Sequence, residues 1–283
     1  MKLLSFRHPD GRASYGALKG DAVVDLGAHY GAQAPDLVSL LARDLLADAA
    51  GVVSRVAAGP ALTSVRLAPA IPNPGKVICV GLNYHDHVKE TGRALTEKPA
   101  LFLRVADSLV AHGEAIVRPA ESTRLDYEGE IVVVIGPGGR RIAEADAWKH
   151  VAGYSIFNDG SVRDWQNHTT QWTAGKNYWR TGGFGPWIVT TDELPGGSLL
   201  TLTTRLNGVQ MQHASTDMLI HSIPSLIAYI SAVMPLAPGD VIVTGTPGGV
   251  GNKREPQVFM KPGDVVEIEV TGVGVLRNTI VDG

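Results

Sequence analysis

Two glutamates stand one residue apart in Asp126-Tyr127-Glu128-Gly129-Glu130, directly ahead of the apolar run 131–135. On a strand, positions i and i+2 face the same way, so Glu128 and Glu130 place two carboxylates side by side, and Gly129 leaves room between them. Adjacent anions raise one another's pKa unless something positive lies between them. A hard divalent cation such as Mg²⁺ suits that need, taking oxygen ligands and leaving other octahedral positions to water or substrate. The alternative is a solvated strand end, where paired glutamates are ordinary. Asp159, at the end of the run 153–160, offers a third carboxylate before Gly160. It reads equally as an Asp-Gly turn residue.

A possible base lies in Gly81-Leu82-Asn83-Tyr84-His85-Asp86-His87-Val88-Lys89-Glu90. His85 and His87 would converge on a metal only in a strand, but Asn83 looks like the N-cap of a helix. In a helix those two histidines diverge, whereas His87 and Glu90, three apart, can meet. A carboxylate beside an imidazole orients it for general-base work on water; a weak surface pair is the plainer reading. Arg163 and Gln166 are also three apart, on one face of a helical turn where they can hold a carboxylate or carbonyl. Lys176 lies in a polar, irregular stretch; such a lysine is usually solvated, but near a metal it can neutralise an oxyanion. Cys79, inside an apolar strand, reads as a small buried hydrophobe rather than a nucleophile. The run Thr244-Gly245-Thr246-Pro247-Gly248-Gly249-Val250-Gly251 lacks the Gly-Lys-Ser/Thr ending of a phosphate loop, and Pro247 removes a donor. Its amides and hydroxyl are left to cradle a carboxylate.

The elements that must position these groups are mostly strands. Segments 76–80, 100–103, 130–135, 154–158, 187–190, 199–206, 241–244 and 265–270 carry strand signals, several as β-branched runs that imply burial on both faces. Asn207-Gly208 predicts a two-residue hairpin turn. Helical spacing marks residues 36–47 and 223–234, the second with Ser222 as N-cap and Pro224 in its first turn. The reading is an α+β fold, predominantly β, without the regular alternation of a doubly wound sheet. Residues 1–70 form a small N-terminal domain, the Pro-rich stretch 67–75 is the connector, and residues 71–283 form the catalytic domain.

Composition narrows the function. The 283 residues are 44% hydrophobic and 19% charged, as in an ordinary globular enzyme, and the net charge of −3 offers no basic field for nucleic acid. The apolar stretch 218–239 is broken by Pro224, Pro235 and Pro238, so it reads as a buried helix and loop rather than a membrane span. The single cysteine suits a reducing cytosol, and no secretion signal is visible, so the expected location is cytoplasmic.

The stretches VGLNYHDHVKETG, KPALFLR, LDYEGEIVVVIG, VAGYSIFNDGSVRDWQ, AGKNY, SIPSLIAYIS and GDVIVTGTPGGVG, in this order, resemble the fumarylacetoacetate hydrolase family over about three quarters of the chain. That resemblance implies a mixed sheet rolled into a barrel-like core and a homodimer. It also implies Mg²⁺ or Mn²⁺ held by Glu128, Glu130 and Asp159. It makes His87 and Glu90 the water-activating dyad, gives Lys176 the oxyanion, and puts Arg163, Gln166 and Thr246 against substrate. Arg104 stands where family members often have a lysine, which keeps a substrate contact there but changes its geometry. The aromatic stretch 165–179 is expected to line or cover the pocket and to favour an apolar tail. The implied reaction is hydrolysis of a carbon-carbon bond in a 2,4-dioxo acid such as an acylpyruvate. Decarboxylation, isomerisation or hydration through the same enolate is the alternative, and a catalytically silent metal-binding protein is the non-enzyme reading.

Overall fold

In the computed structural model, which describes residues 1–283, nine strands form the main path of one large sheet. The path runs Ala22–Asp25, Ala13–Lys19, Lys2–Arg7, Gly182–Thr190, Val151–Asp159, Gly129–Ile135, Val241–Val243, Val77–Gly81 and Ala100–Arg104. Its neighbours are antiparallel except for Val241–Val243 against Val77–Gly81. A second sheet orders Val209–Ser215, Thr201–Leu206, Val265–Val270, Gly274–Asp282 and Ile116–Arg118.

Neither sheet closes on itself, so the barrel-like part of the expectation is not seen, and a third sheet of two strands pairs Ser161–Val162 with Leu125–Asp126. The physical reason lies in how the faces are covered. Val132 and Val134 turn to one side of the large sheet, where they join Leu26, Leu37, Leu40 and Ala49 of the N-terminal helices. Ile131, Val133 and Ile135 turn to the other side, against Leu202 and Ile268 of the second sheet and Leu226, Ile227 and Ile230 of the Ile223–Val233 helix. Layers on both faces complete the burial that closure would otherwise supply. The edges are blunted locally. Val23 donates to Pro60 O and accepts from Gly59 N. At the other edge, Asn177 takes the Val105 N–H and the Leu103 carbonyl.

Local chemistry accounts for the element ends. Asn207 (φ 53°) and Gly208 (φ 80°) both adopt the positive φ that the hairpin turn requires. Ser222 caps the Ile223–Val233 helix by accepting from Ser225 N. The expected helix over 36–47 is two helices, Leu37–Ala42 and Leu46–Arg55, because Asp44 turns left-handed (φ 54°) between them. The N-terminal strands extend the large sheet through Lys2–Arg7, which pairs with Gly182–Thr190. No helix is long and apolar enough to cross a membrane.

Candidate active site

The strand period that sends Val132 and Val134 to one face sends Glu130 to the same face, and Asp159 follows Phe157 there on the neighbouring strand. With Glu128 at the strand's entry, three carboxylates converge, their candidate ligand atoms all within 4.8 Å of one another. All three are buried, and three cations are threaded among them. Lys176 Nζ bridges Glu128 Oε2 and Asp159 Oδ2, each at 2.6 Å. Arg163 reaches Glu128 Oε1 at 2.7 Å and Asp126 Oδ2 at 2.8 Å. Arg104 Nη1 holds Asp159 Oδ1 at 2.5 Å.

Glu130 is the exception, with no cation and only the Gly245 amide donating to its Oε2 at 2.6 Å. Burial, followed by the charges of Asp159 and Glu128, pushes its carboxyl well above the glutamate range. Burial would raise Glu128 as well, but Arg163 and Lys176 overrule it and hold that carboxyl below the ordinary range. Lys176 keeps its proton more tightly than a free lysine, because Asp159 and Glu128 outweigh its desolvation. The donor set therefore fits a divalent cation. Three convergent carboxylate oxygens are hard ligands, and one of them, on Glu130, has no cationic partner, so its ionised form is left for a metal ion to stabilise. Cys79 lies fully buried nearby with its thiol pushed up by burial, then by Asp159 and Glu130, which suits packing rather than attack.

The other wall of the same cavity, about 180 Å³, carries His87. It stands on the short helix His85–Thr91, entered through Leu82 at φ 59°. Asn83 is not the N-cap anticipated from sequence; Tyr84 holds that position without a side-chain bond. Asn83 is buried and donates to His221 O and Thr244 O while accepting from His221 N, tying the helix entry to two distant loops. His87 Nδ1 meets Glu90 Oε1 at 2.7 Å, and Glu90 Oε2 accepts from Gly249 N at 2.8 Å. That leaves Nε2 as the ring nitrogen outside the pair. His85 diverges, as helical spacing requires, and lines a different cavity.

The glycine-rich stretch 244–252 does cradle carboxylates, and they are the protein's own. Its amides serve Glu130, Glu90 and Asp126 through Gly245, Gly249, and Gly251 with Asn252. Thr246 lines the cavity while donating to Gly129 O and accepting from Gln212 Nε2. Gln166 also lines it and accepts from Arg163 Nη1 at 3.0 Å, and Arg163 Nη2 is buried without a partner. Arg104 is placed differently from the sequence expectation. It lies behind Asp159, outside the cavity wall, with Nε on Ser108 and Nη2 on Thr181. Its donors are spent on the protein, so it aims Asp159 rather than facing a substrate.

Of the aromatic stretch, Trp172 lines the cavity with Phe102, the rings edge-to-face at 5.5 Å, whereas Trp165 packs on Tyr178 and Trp179 is exposed. Asp126 received no role from the sequence. The signal was present, since Asp126, Glu128 and Glu130 continue one i, i+2 alternation. Asn158, whose Oδ1 accepts from Glu128 N at 3.0 Å, carried no such signal.

Comparisons with known proteins bear on this arrangement. The fumarylacetoacetate (FAA) hydrolase C-terminal family profile matches residues 76–281. The chain is 35% identical over 287 aligned positions to a mitochondrial oxaloacetate tautomerase of Rattus norvegicus, spanning 99% of this chain and 92% of that one. The solved fumarylacetoacetate hydrolase of Exiguobacterium antarcticum superposes with a TM-score of 0.84 at 34% identity, covering 100% of both chains. Maleylpyruvate hydrolase of Sphingobium sp. SYK-6, solved with manganese(II) and pyruvate, superposes with a TM-score of 0.83 at 30% identity, again over 100% of both. With the profile covering most of its length, the chain belongs to the fumarylacetoacetate hydrolase family, whose members include hydrolases, isomerases and tautomerases.

Proposed function

We propose that this protein is a divalent-metal enzyme that hydrolyses a carbon-carbon bond in a 2,4-dioxo acid of the acylpyruvate type. One observation carries the reading: a histidine oriented by a glutamate faces the same small cavity as three converging carboxylates. Glu128, Glu130 and Asp159 would hold Mg²⁺ or Mn²⁺, which supplies Lewis acidity toward an oxo oxygen. Arg163, through its unpartnered Nη2, and Gln166 hold the substrate carboxylate. His87 Nε2 takes a proton from water, whose hydroxyl adds to C4. The C3–C4 bond then breaks with its electron pair going to C3, giving a carboxylic acid and the enolate of pyruvate. His87 returns the proton to C3. Lys176, held protonated, adds a fixed positive charge where the enolate forms. The functional unit is proposed to be a homodimer.

A second reading, oxo–enol tautomerisation, is favoured by the alignment with the rat tautomerase over nearly the whole chain. It uses the same base on a C3 proton and needs no water. Incubation of acylpyruvates and oxaloacetate with Mn²⁺ or Mg²⁺, followed by NMR, separates the two. Hydrolysis yields pyruvate and a new acid, and tautomerisation only equilibrates keto and enol forms. His87→Ala should lower the hydrolytic rate about 10² to 10⁴-fold with metal binding unchanged. Full activity after exhaustive chelation would overturn both readings. Release of CO₂ by His87→Ala without a new acid would put a decarboxylase in their place.

A further inference from the structure

The amide of Gly249 holds the dyad, and its carbonyl is in turn held by two side chains that have no role so far. Gly249 N donates to Glu90 Oε2 at 2.8 Å, and Glu90 Oε1 meets His87 Nδ1. Glu90 is 22% exposed, so packing alone does not fix it, and the loop amide and the imidazole are what occupy its two oxygens. Behind that amide, Gly249 O accepts from the Tyr127 hydroxyl at 3.1 Å and from Arg254 Nε at 3.2 Å. Arg254 Nε also donates to the Tyr127 hydroxyl at 3.1 Å, which closes a triangle of guanidinium, phenol and carbonyl. Arg254 Nη2 then reaches Met211 O at 2.6 Å on the strand Val209–Ser215. The loop is pressed against that strand at this point: Gly249 has φ 102°, and a Cβ there would lie 2.2 Å from Met211 O.

Neither Arg254 nor Tyr127 lines the cavity, so any effect they have on chemistry passes through other groups. Arg254 spends its fork on a phenol and two main-chain carbonyls, which fixes backbone rather than answering a charge. Tyr127 is fully buried and directly precedes Glu128, so the triangle also ties the dyad's loop to the strand entry that carries a carboxylate of the floor. We infer that Arg254, with Tyr127, is a positioning residue for the base: by fixing Gly249 it fixes Glu90, and through Glu90 the tautomer and direction of the His87 ring. The inference rests on the reading of His87 as the base and names two residues on which that role depends.

The test reads the ring directly. In protein labelled with ¹⁵N-histidine and supplied with Mg²⁺ at mildly alkaline pH, two-bond ¹H–¹⁵N correlations report which ring nitrogen carries the proton, and His87→Ala assigns the signals. Wild type should show one tautomer, protonated at Nδ1 and bare at Nε2. Arg254→Met should show a mixture of tautomers and lower kcat about tenfold, as a small displacement of a reacting group does, with KM and Mn²⁺ affinity unchanged. Arg254→Lys keeps the charge without the fork and should recover part of the loss. In a Glu90→Ala background nothing is left to position, so adding Arg254→Met should lower kcat no further. Should Arg254→Met fail to fold, Tyr127→Phe removes only a hydroxyl and should move the same signals with a kcat loss of about threefold. Ring correlations like those of the wild type in both variants, or an undiminished loss in the Glu90→Ala background, would overturn the inference and leave the role of His87 standing. Full activity of His87→Ala would overturn the base reading instead, and the ring spectra would still decide whether Arg254 positions the imidazole.

Discussion

Glu128, Glu130 and Asp159 sit on or at the mouth of central strands and are 4%, 2% and 0% exposed, whereas Arg93, Trp172 and Lys253 sit on turns at the cavity rim. The floor groups are held by strand pairing, by loop amides and by one another. The rim groups are held by little beyond a ring under a guanidinium. The contrast follows from the cost of burying charge. A carboxylate taken out of water must have partners fixed in place before any ligand arrives, and only packed strands and pinned loops can fix them. A rim side chain in water has no such constraint, so it can change without endangering the fold. Chemistry is expected to fail when the floor is altered, and substrate preference to shift when the rim is altered.

Lys176→Met strikes the floor hardest. It removes the ammonium bridging Glu128 and Asp159 and should destabilise the metal-free protein by about 3 kcal/mol, the low end for a broken buried pair, because each carboxylate keeps its arginine. Melting in chelator and again with Mn²⁺ checks this. The ion should restore part of the loss by neutralising the same oxygens. A variant that melts like the wild type in chelator would mean that packing, not charge, holds the floor together.

Arg104→Met should act one step further from the ligand. Asp159 would lose the partner that fixes its Oδ1, and Mn²⁺ affinity measured by calorimetry should fall about 10 to 100-fold, as it does when supporting partners of metal ligands are removed. If Arg104 instead contacts substrate, KM should rise while metal affinity stays unchanged.

The floor also predicts a pH signature for the metal-free protein. Glu130 holds its proton above the ordinary value of 4.5 in the folded chain, so the stability it contributes is complete below that value. As pH rises through its raised folded pKa, the stability is lost. Glu128 runs the other way, its contribution falling only as pH drops below 4.5. Melting temperature in chelator should therefore decline with rising pH above 4.5, and saturating Mn²⁺ should abolish the decline by binding the ionised form. A flat profile in chelator would indicate that Glu130 is neutralised by a group other than a metal.

The floor was legible in sequence wherever a local period fixed direction. Glu128 and Glu130 share a face because strands alternate, and His87 meets Glu90 because helices turn every 3.6 residues. The hairpin at Asn207-Gly208 was legible for the same kind of reason. Long-range partners were not. Nothing near Lys176 announces that it is buried between residues 48 and 17 positions away, and nothing near Arg104 says that it points behind Asp159 rather than into the cavity. Asn83 misled because an asparagine before a helix ordinarily caps it, and here its amide was claimed by His221 and Thr244, more than a hundred residues on. Sheet closure was likewise beyond local pattern, since alternation records that both faces are buried but not what covers them.

The smallest expected effect is at the rim and tests whether Trp172 acts as a platform. Gly81 passes so close beneath it that an added Cβ would lie 2.3 Å from the ring's Cζ3, a contact the ring can relieve only by moving. Gly81→Ala should therefore displace Trp172, loosen Arg93 above it and raise KM a few-fold, about 1 kcal/mol for a cation-ring contact partly exposed to water. Trp172→Ala should have an effect of similar size by removing the ring outright. The two are in contact, so their effects should not add. Once the ring is gone, the Gly81 methyl has nothing to push, and the double variant should match Trp172→Ala alone. Additive KM changes would instead place the Gly81 effect in the strand itself. Because Gly81 ends the Val77–Gly81 strand that leads into the dyad helix, the altered group would then be His87, and kcat rather than KM would carry the change.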